Sequence, residues 1–179
     1  RQLGSNCGIA GQHAAIELDG RIFWMGAKDF FVYDGAVKAL PCTVRRYVYN
    51  DFNFDQKEKV YAGTNQEFRE VTWLYPSKNA TEVDRYVSYN PVENYWTFGT
   101  TIFTTWEDKE VFQNVITTGQ EADGDNYLYT NEPEDIYTAD GQKQEAFLES
   151  SEFDTTPPSY GPGDNIMYLD RIESFQTLQ

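Results

Sequence analysis

With 179 residues and a net charge of −15, from 29 acidic against 14 basic side chains, the chain suits one domain and is too acidic to hold a phosphate backbone by counterion release. Hydrophobic residues make up 40 % and aromatics 16 %, enough for a core, and flat rings in such number favour pleated, half-buried strands. No apolar run has the length of a membrane span and no signal-peptide pattern opens the chain, so a soluble protein is expected. Cys7 and Cys42 are too few for a disulfide framework and read as free buried thiols.

In chain order, AAIELDGRIFWMG is a hairpin turning at Asp19-Gly20, because Asp-Gly between alternating runs is a strong hairpin signal. FFVYDGAVKAL repeats the device at Asp34-Gly35, giving a four-stranded antiparallel meander. Residues 50–63 (NDFNFDQKEKVYAG) are not strand-like. Asp51 or Asn53 is suited to cap a helix, Phe54 and 57–61 supply a short helical face, and Gly63 is expected to end it. This insertion is expected on one rim, between the first and second strands of a second unit.

EFREVTWLYP then reads as a strand with Val71, Trp73 and Tyr75 on one face, and EVDRYVSYNPVENYWTFG as strand, Asn90-Pro91 turn, strand. GDNYLYTNEPEDIYTADGQKQEAFLES continues with strand, Pro-containing turn, strand, Asp140-Gly141 turn, strand.

An aromatic followed by a turn recurs at Tyr33-Asp34-Gly35, Tyr89-Asn90-Pro91 and Tyr137 with Asp140-Gly141, about fifty residues apart. The expected class is therefore all-β: a single β-propeller-like module over 1–179. Its blade-like units are expected at about 12–42, 43–106 and 110–152, with a Pro/Gly-rich connector at 153–165 and a strand of a further unit at 166–175. A β-sandwich also uses many short strands and stays open as an alternative. Three units and a strand do not close a ring, since propellers use about four to eight blades. A piece of a longer polypeptide, or edges covered by other chains, is the expectation.

No catalytic constellation stands out. His13, the single histidine, reads as a strand-end residue, and neither a zinc ligand set nor a nucleophile elbow accompanies it. EADGDN resembles a calcium loop only in having Asp123, Gly124 and Asp125, and its ligand spacing fails. Asn79-Ala80-Thr81 fits a glycosylation acceptor by chance, and Arg85 with Asp84 would need a shared pocket to act chemically. No metal or cofactor is called for, and a non-enzymatic role is expected.

The motifs GIAGQHAAIELDGRIFWMG, YDG, LPC, KVYAGTNQEFREVTWLYPS and DRYVSYN resemble, in order and spacing, the tail nozzle proteins of short-tailed bacteriophages, also described as packaged-DNA stabilisation or tail-tube proteins. The likeness covers 8–108 and resumes at AFLESSEFDT and IMYLDRIE. It departs at Lys28 and Asp29, where a glycine-bearing turn is common, and family members are longer. The resemblance implies a virion protein assembled as a ring, a hexamer, below the portal and tail adaptor. Tail fibres would be further neighbours, genomic double-stranded DNA would pass through the centre, and no cofactor would be used.

An acidic lining suits such a conduit, because it repels DNA over a Debye length of about 8 Å. Glu121, Asp123, Asp125, Glu132, Glu134 and Asp135 are candidates for the lumen or the loop tips. Arg45, Arg46, Lys57 and Lys59 form a basic zone, and Phe52, Phe54, Lys57 and Lys59 are candidates for contact with a neighbouring subunit. Core packing also explains Phe52, Phe54 and Trp73, and it is the preferred account of all three. The competing class is a carbohydrate-binding module stacking Tyr95, Trp96 and Trp106 on sugar rings, and burial of those rings would remove its platform.

Overall fold

The computed structural model describes residue 4, residues 6–109, 112–121 and 124–131, and the backbone of 138–139 and 142–143. The chain divides into two compact units, Arg1–Ile136 and Tyr137–Gln179. In the second, the described residues are the two-residue strands Thr138–Ala139 and Gln142–Lys143, paired antiparallel. The connector at 153–165, the strand at 166–175 and most of 131–152 lie outside the described residues.

The first unit is all-β apart from one short connecting segment, and its sheets are runs of consecutive antiparallel strands. The first sheet contains β1 (Ala15–Leu18), β2 (Arg21–Met25), β3 (Phe30–Tyr33) and β4 (Val37–Ala39). The second contains β5 (Tyr61–Asn65), β6 (Glu70–Tyr75), β7 (Arg85–Asn90) and β8 (Tyr95–Thr100). The third contains β9 (Phe103–Glu107), β10 (Ile116–Gln120) and β11 (Asn126–Thr130). The described strands close neither a propeller nor a barrel, and a sandwich is compatible with them as well.

Local turn chemistry explains why the strands reverse where they do. Asp19 and Gly20 both have positive φ, 53° and 74°, as the twist of a two-residue hairpin requires. Gly35 at φ 104° serves the same purpose in the loop between β3 and β4. At the β7–β8 turn the Asn90 side chain accepts hydrogen bonds from the Val92 and Glu93 amides at 2.9 and 3.0 Å, and Pro91 fixes the chain direction.

Alternation along each strand then sorts the side chains. One face of the first sheet carries Phe23, Met25, Phe30 and Val32, and it packs on Val71, Trp73, Val87 and Tyr89 of the second, all buried. Phe30 lies 4.9 Å from both Trp73 and Trp96, ring to ring, so this inter-sheet layer is mainly aromatic. The expected face of Val71, Trp73 and Tyr75 is buried as a set.

The first strands of the sheets lie side by side. His13, two residues before β1, makes a parallel bridge to Tyr61 and stacks on it at 5.3 Å, and its carbonyl accepts the Ala62 amide at 2.7 Å. β5 in turn lies against β9, where Trp106 donates to the Thr64 carbonyl at 2.7 Å.

The connecting segment corrects the sequence reading. No strand of the second sheet precedes the insertion: Arg45–Asp51 is a helix (α1), so the insertion joins the first and second sheets. Val44, Val48 and Phe52 are spaced for one helical face, Val48 and Phe52 are buried in the core, and packing there overrides the strand preference of this aromatic, β-branched run. A 3-10 helix follows at Phe54–Lys59, capped by the Asn53 side chain accepting from the Asp55 amide at 3.1 Å. It ends at Val60, and Gly63 lies within β5 rather than at a helix end.

β9 pairs with β10 and opens the third sheet, whereas the sequence units put it at the end of the second. Both cysteines are free but half-buried rather than buried.

Candidate functional site

The residues singled out for an interface sit on the connecting segment and divide sharply. Phe52 is a core residue at 4 % exposure, in ring contact with Tyr49, Tyr75 and Phe54. Phe54 stays 44 % exposed, resting one face on Phe52 at 4.7 Å. Lys59 is engaged by the β6–β7 connection, where it pairs with Glu82 and donates to the Thr81 carbonyl at 2.6 Å. Arg45 pairs with Asp29 at 2.7 Å. The basic zone thus offers Arg46 and Lys57 outward, both exposed, while Arg45 and Lys59 tie the segment to the two sheets.

Beside them lies an aromatic pair the sequence did not indicate. Tyr47 on α1 and Phe98 on β8 meet at 4.3 Å and both remain exposed, at 47 % and 44 %. Their contact joins residues far apart in sequence through a helix that reads locally as a strand, so no short-range pattern announces it.

Of the acidic candidates, Asp123, Glu132, Glu134 and Asp135 lie outside the described residues. Glu121 and Asp125 bracket the β10–β11 hairpin: the Glu121 amide donates to the Asp125 carbonyl at 3.1 Å, and Gly124 has φ 89°. Asp125 is exposed, whereas Glu121 is half-buried and accepts the Tyr129 hydroxyl at 2.6 Å. Among the described residues no group of three His, Cys, Asp or Glu is placed to hold a metal ion.

A second acidic surface was not foreseen. Where the first strands meet, Glu17, Glu107 and Asp108 line a cleft of about 230 Å³ with Gly63, Thr64 and Trp106. Asp108 is committed to structure there, accepting the Thr64 hydroxyl at 2.8 Å and the Gln66 amide at 3.1 Å.

The groups weighed for chemistry are also structural. Asp84 accepts the Ser77 amide and hydroxyl, both at 2.7 Å, and pairs with Arg85, which also reaches Asp51 at 3.4 Å. Burial pushes the Cys42 thiol up to about 11, which keeps it protonated and a poor nucleophile near neutral pH. Desolvation likewise raises Tyr49 and Tyr75 far above the usual phenol range.

The three rings proposed for sugar stacking fare differently. Trp96 is half-buried, packed on Tyr89 at 4.5 Å and on Phe30, with its indole donating to the Pro41 carbonyl at 3.0 Å. Trp106 is half-buried against Gly63. Tyr95 is 38 % exposed, and its hydroxyl is held by Glu70 at 2.8 Å.

No protein-family model and no curated protein matches the chain.

Proposed function

We propose that the chain is a structural virion component, a blade-bearing module of a tail nozzle or tube that lines the path of packaged DNA and works by assembly with copies of itself. The single observation that carries this reading is the use of Trp96 and Trp106. Both indoles are spent holding one element of the fold to another, so two of the three rings suited to sugar stacking are committed to packing. The side-by-side first strands, β1 against β5 and β5 against β9, support a blade-like arrangement of the sheets.

The electrostatics agree with a conduit that lets DNA pass without retaining it. The net charge is −15, and the cleft at the meeting of the first strands carries Glu17 and Glu107. The portal-proximal adaptor, the sixfold ring and the location in a phage tail belong to this proposal through the motif resemblance.

Native mass spectrometry with negative-stain imaging of the full chain tests it. Sixfold rings, with no retention of duplex DNA at physiological salt, are the expected result. A strictly monomeric protein that binds immobilised glycans would overturn the proposal.

A further inference from the structure

The rows of side chains across the second sheet change character at one end. Val71 with Tyr89 and Trp73 with Val87 are core pairs, whereas the next pair along the same face is Tyr75 on β6 opposite Arg85 on β7. The end of α1 meets this pair. Phe52 stands edge-on to the Tyr75 ring at 6.1 Å, and the Asp51 carboxylate reaches Arg85 at 3.4 Å.

Two polar atoms of this pair are buried with no hydrogen-bond partner among the described residues, the Tyr75 hydroxyl and Arg85 Nε. Tyr75 is fully buried. A buried hydroxyl left unpaired costs its whole desolvation, and a phenylalanine would keep the ring contact with Phe52 without that cost. Arg85 Nε is close enough to Asp51 for the charges to attract, but its N–H is not aligned on the carboxylate as a hydrogen bond. Nη1 of the same guanidinium is engaged elsewhere, donating to the Asp84 carbonyl at 3.2 Å and lying 3.3 Å from the Asp84 carboxylate.

The surrounding charges select what these atoms bind. Tyr47, Asp51, Asp84 and Arg85 are the titratable groups that act on the Tyr75 hydroxyl. Two carboxylates repel an anion. The Arg85 guanidinium already lies against both of them, so a metal cation would meet a like charge. A neutral molecule that both accepts and donates fits, and the two buried atoms leave no room for more than a small one. We infer that a single internal water is bound between α1 and the second sheet, accepting from the Tyr75 hydroxyl and Arg85 Nε and donating to the Asp51 carboxylate. Three partners are what an internal water ordinarily has, and such waters serve buried polar groups that would otherwise be unpaired. This one fastens the end of α1 to β6 and β7 together. Asp51 and Arg85 are only partly buried, at 34 % and 28 % side-chain exposure, so the water exchanges with solvent past them.

A high-resolution crystal structure of the full chain, with thermal melts of wild type and Tyr75→Phe, tests this. The expected result is one ordered water at about 2.7–3.0 Å from both Tyr75 Oη and Arg85 Nε. Tyr75→Phe, which removes one of its hydrogen bonds, is expected to lower the melting temperature by about 2–4 °C. A Tyr75 hydroxyl bonded directly to Asp51 or Asp84, or a site with no ordered water touching both donors, overturns the assignment. A melting temperature that holds or rises in Tyr75→Phe also overturns it, because that is the response to deleting a hydroxyl that nothing binds. Should the variant fail to fold, the wild-type crystal structure decides alone.

Discussion

Trp106 packs where Gly63 has no side chain: a Cβ at residue 63 would fall well inside any allowed contact with the Trp106 ring. The φ of Gly63 is not in the left-handed region, so this glycine is required for closeness and not for backbone freedom. Gly63→Ala is therefore expected to destabilise by about 1–3 kcal/mol through overpacking. Pairing it with Trp106→Ala removes the clash, so the double variant falls well short of the sum of the two singles. Urea unfolding of the four proteins in a double-mutant cycle measures that coupling, and additive effects would refute the packing account.

Gly20 gives the opposite case. Its surroundings are open, with no atom within 4 Å of the position a Cβ would take, but its φ is 74°. Gly20→Ala is expected to lower stability by about 1 kcal/mol through backbone strain alone. Gly20→Asn, which tolerates this conformation better, should recover part of the loss. Thermal melts of the three proteins decide the matter.

The aromatic layer between the first two sheets should show a graded response. Trp73 is fully buried and donates to the Ala14 carbonyl, so Trp73→Ala is expected to remove about 3–5 kcal/mol. Trp96 is half-buried, so its truncation should be milder, and it should leave any binding to immobilised glycans unchanged from background. Loss of a measurable glycan affinity on Trp96→Ala would instead revive the binding-module reading.

Alkaline stability carries the mark of Cys42. Its thiol has a folded-state value near 11 against a reference of 9.0, with desolvation the main cause. The folded state thus holds the proton more tightly than the unfolded one. The associated stability is complete below pH 9 and is lost as pH rises through 11. Cys42→Ala should flatten the fall in unfolding free energy across that window relative to wild type. Tyr49 and Tyr75 are common to both proteins, so an unchanged slope would discount the thiol.

Much of the fold was legible because its turns are chemically explicit. Asp19-Gly20, Asp34-Gly35 and Asn90-Pro91 each reverse the chain where their residues require, and Val71, Trp73 and Tyr75 share a buried face by simple alternation. Two elements escaped for a common reason. The run from Arg45 to Asp51 prefers strand by composition, and only the burial of Val48 and Phe52 against two sheets makes it a helix. β9 belongs to the third sheet because its hydrogen bonds go to β10, information carried by a partner further along the chain. The candidate surface was legible in part: Phe54 and Lys57 are exposed as an interface needs, but Phe52 and Lys59 serve the fold. The Tyr47–Phe98 contact and the cleft at Glu17, Glu107 and Asp108 are products of long-range packing and have no local signature.

Because every strand of the three sheets pairs with its immediate predecessor or successor in sequence, ladder formation involves only short loop closures. What joins one sheet to the next is the first strand of the later one, with His13 to Ala62 as the first such seam. During synthesis the first sheet can therefore form its ladder early, yet its Phe23 and Phe30 face stays uncovered until β6 and β7 have emerged. Ribosome-bound chains cut short before Tyr89 should be protease-sensitive and chaperone-bound, and extension past β8 should convert them abruptly to a resistant form. The order of the strands thus works as a timetable for maturation, with each new sheet shielding the one made before it.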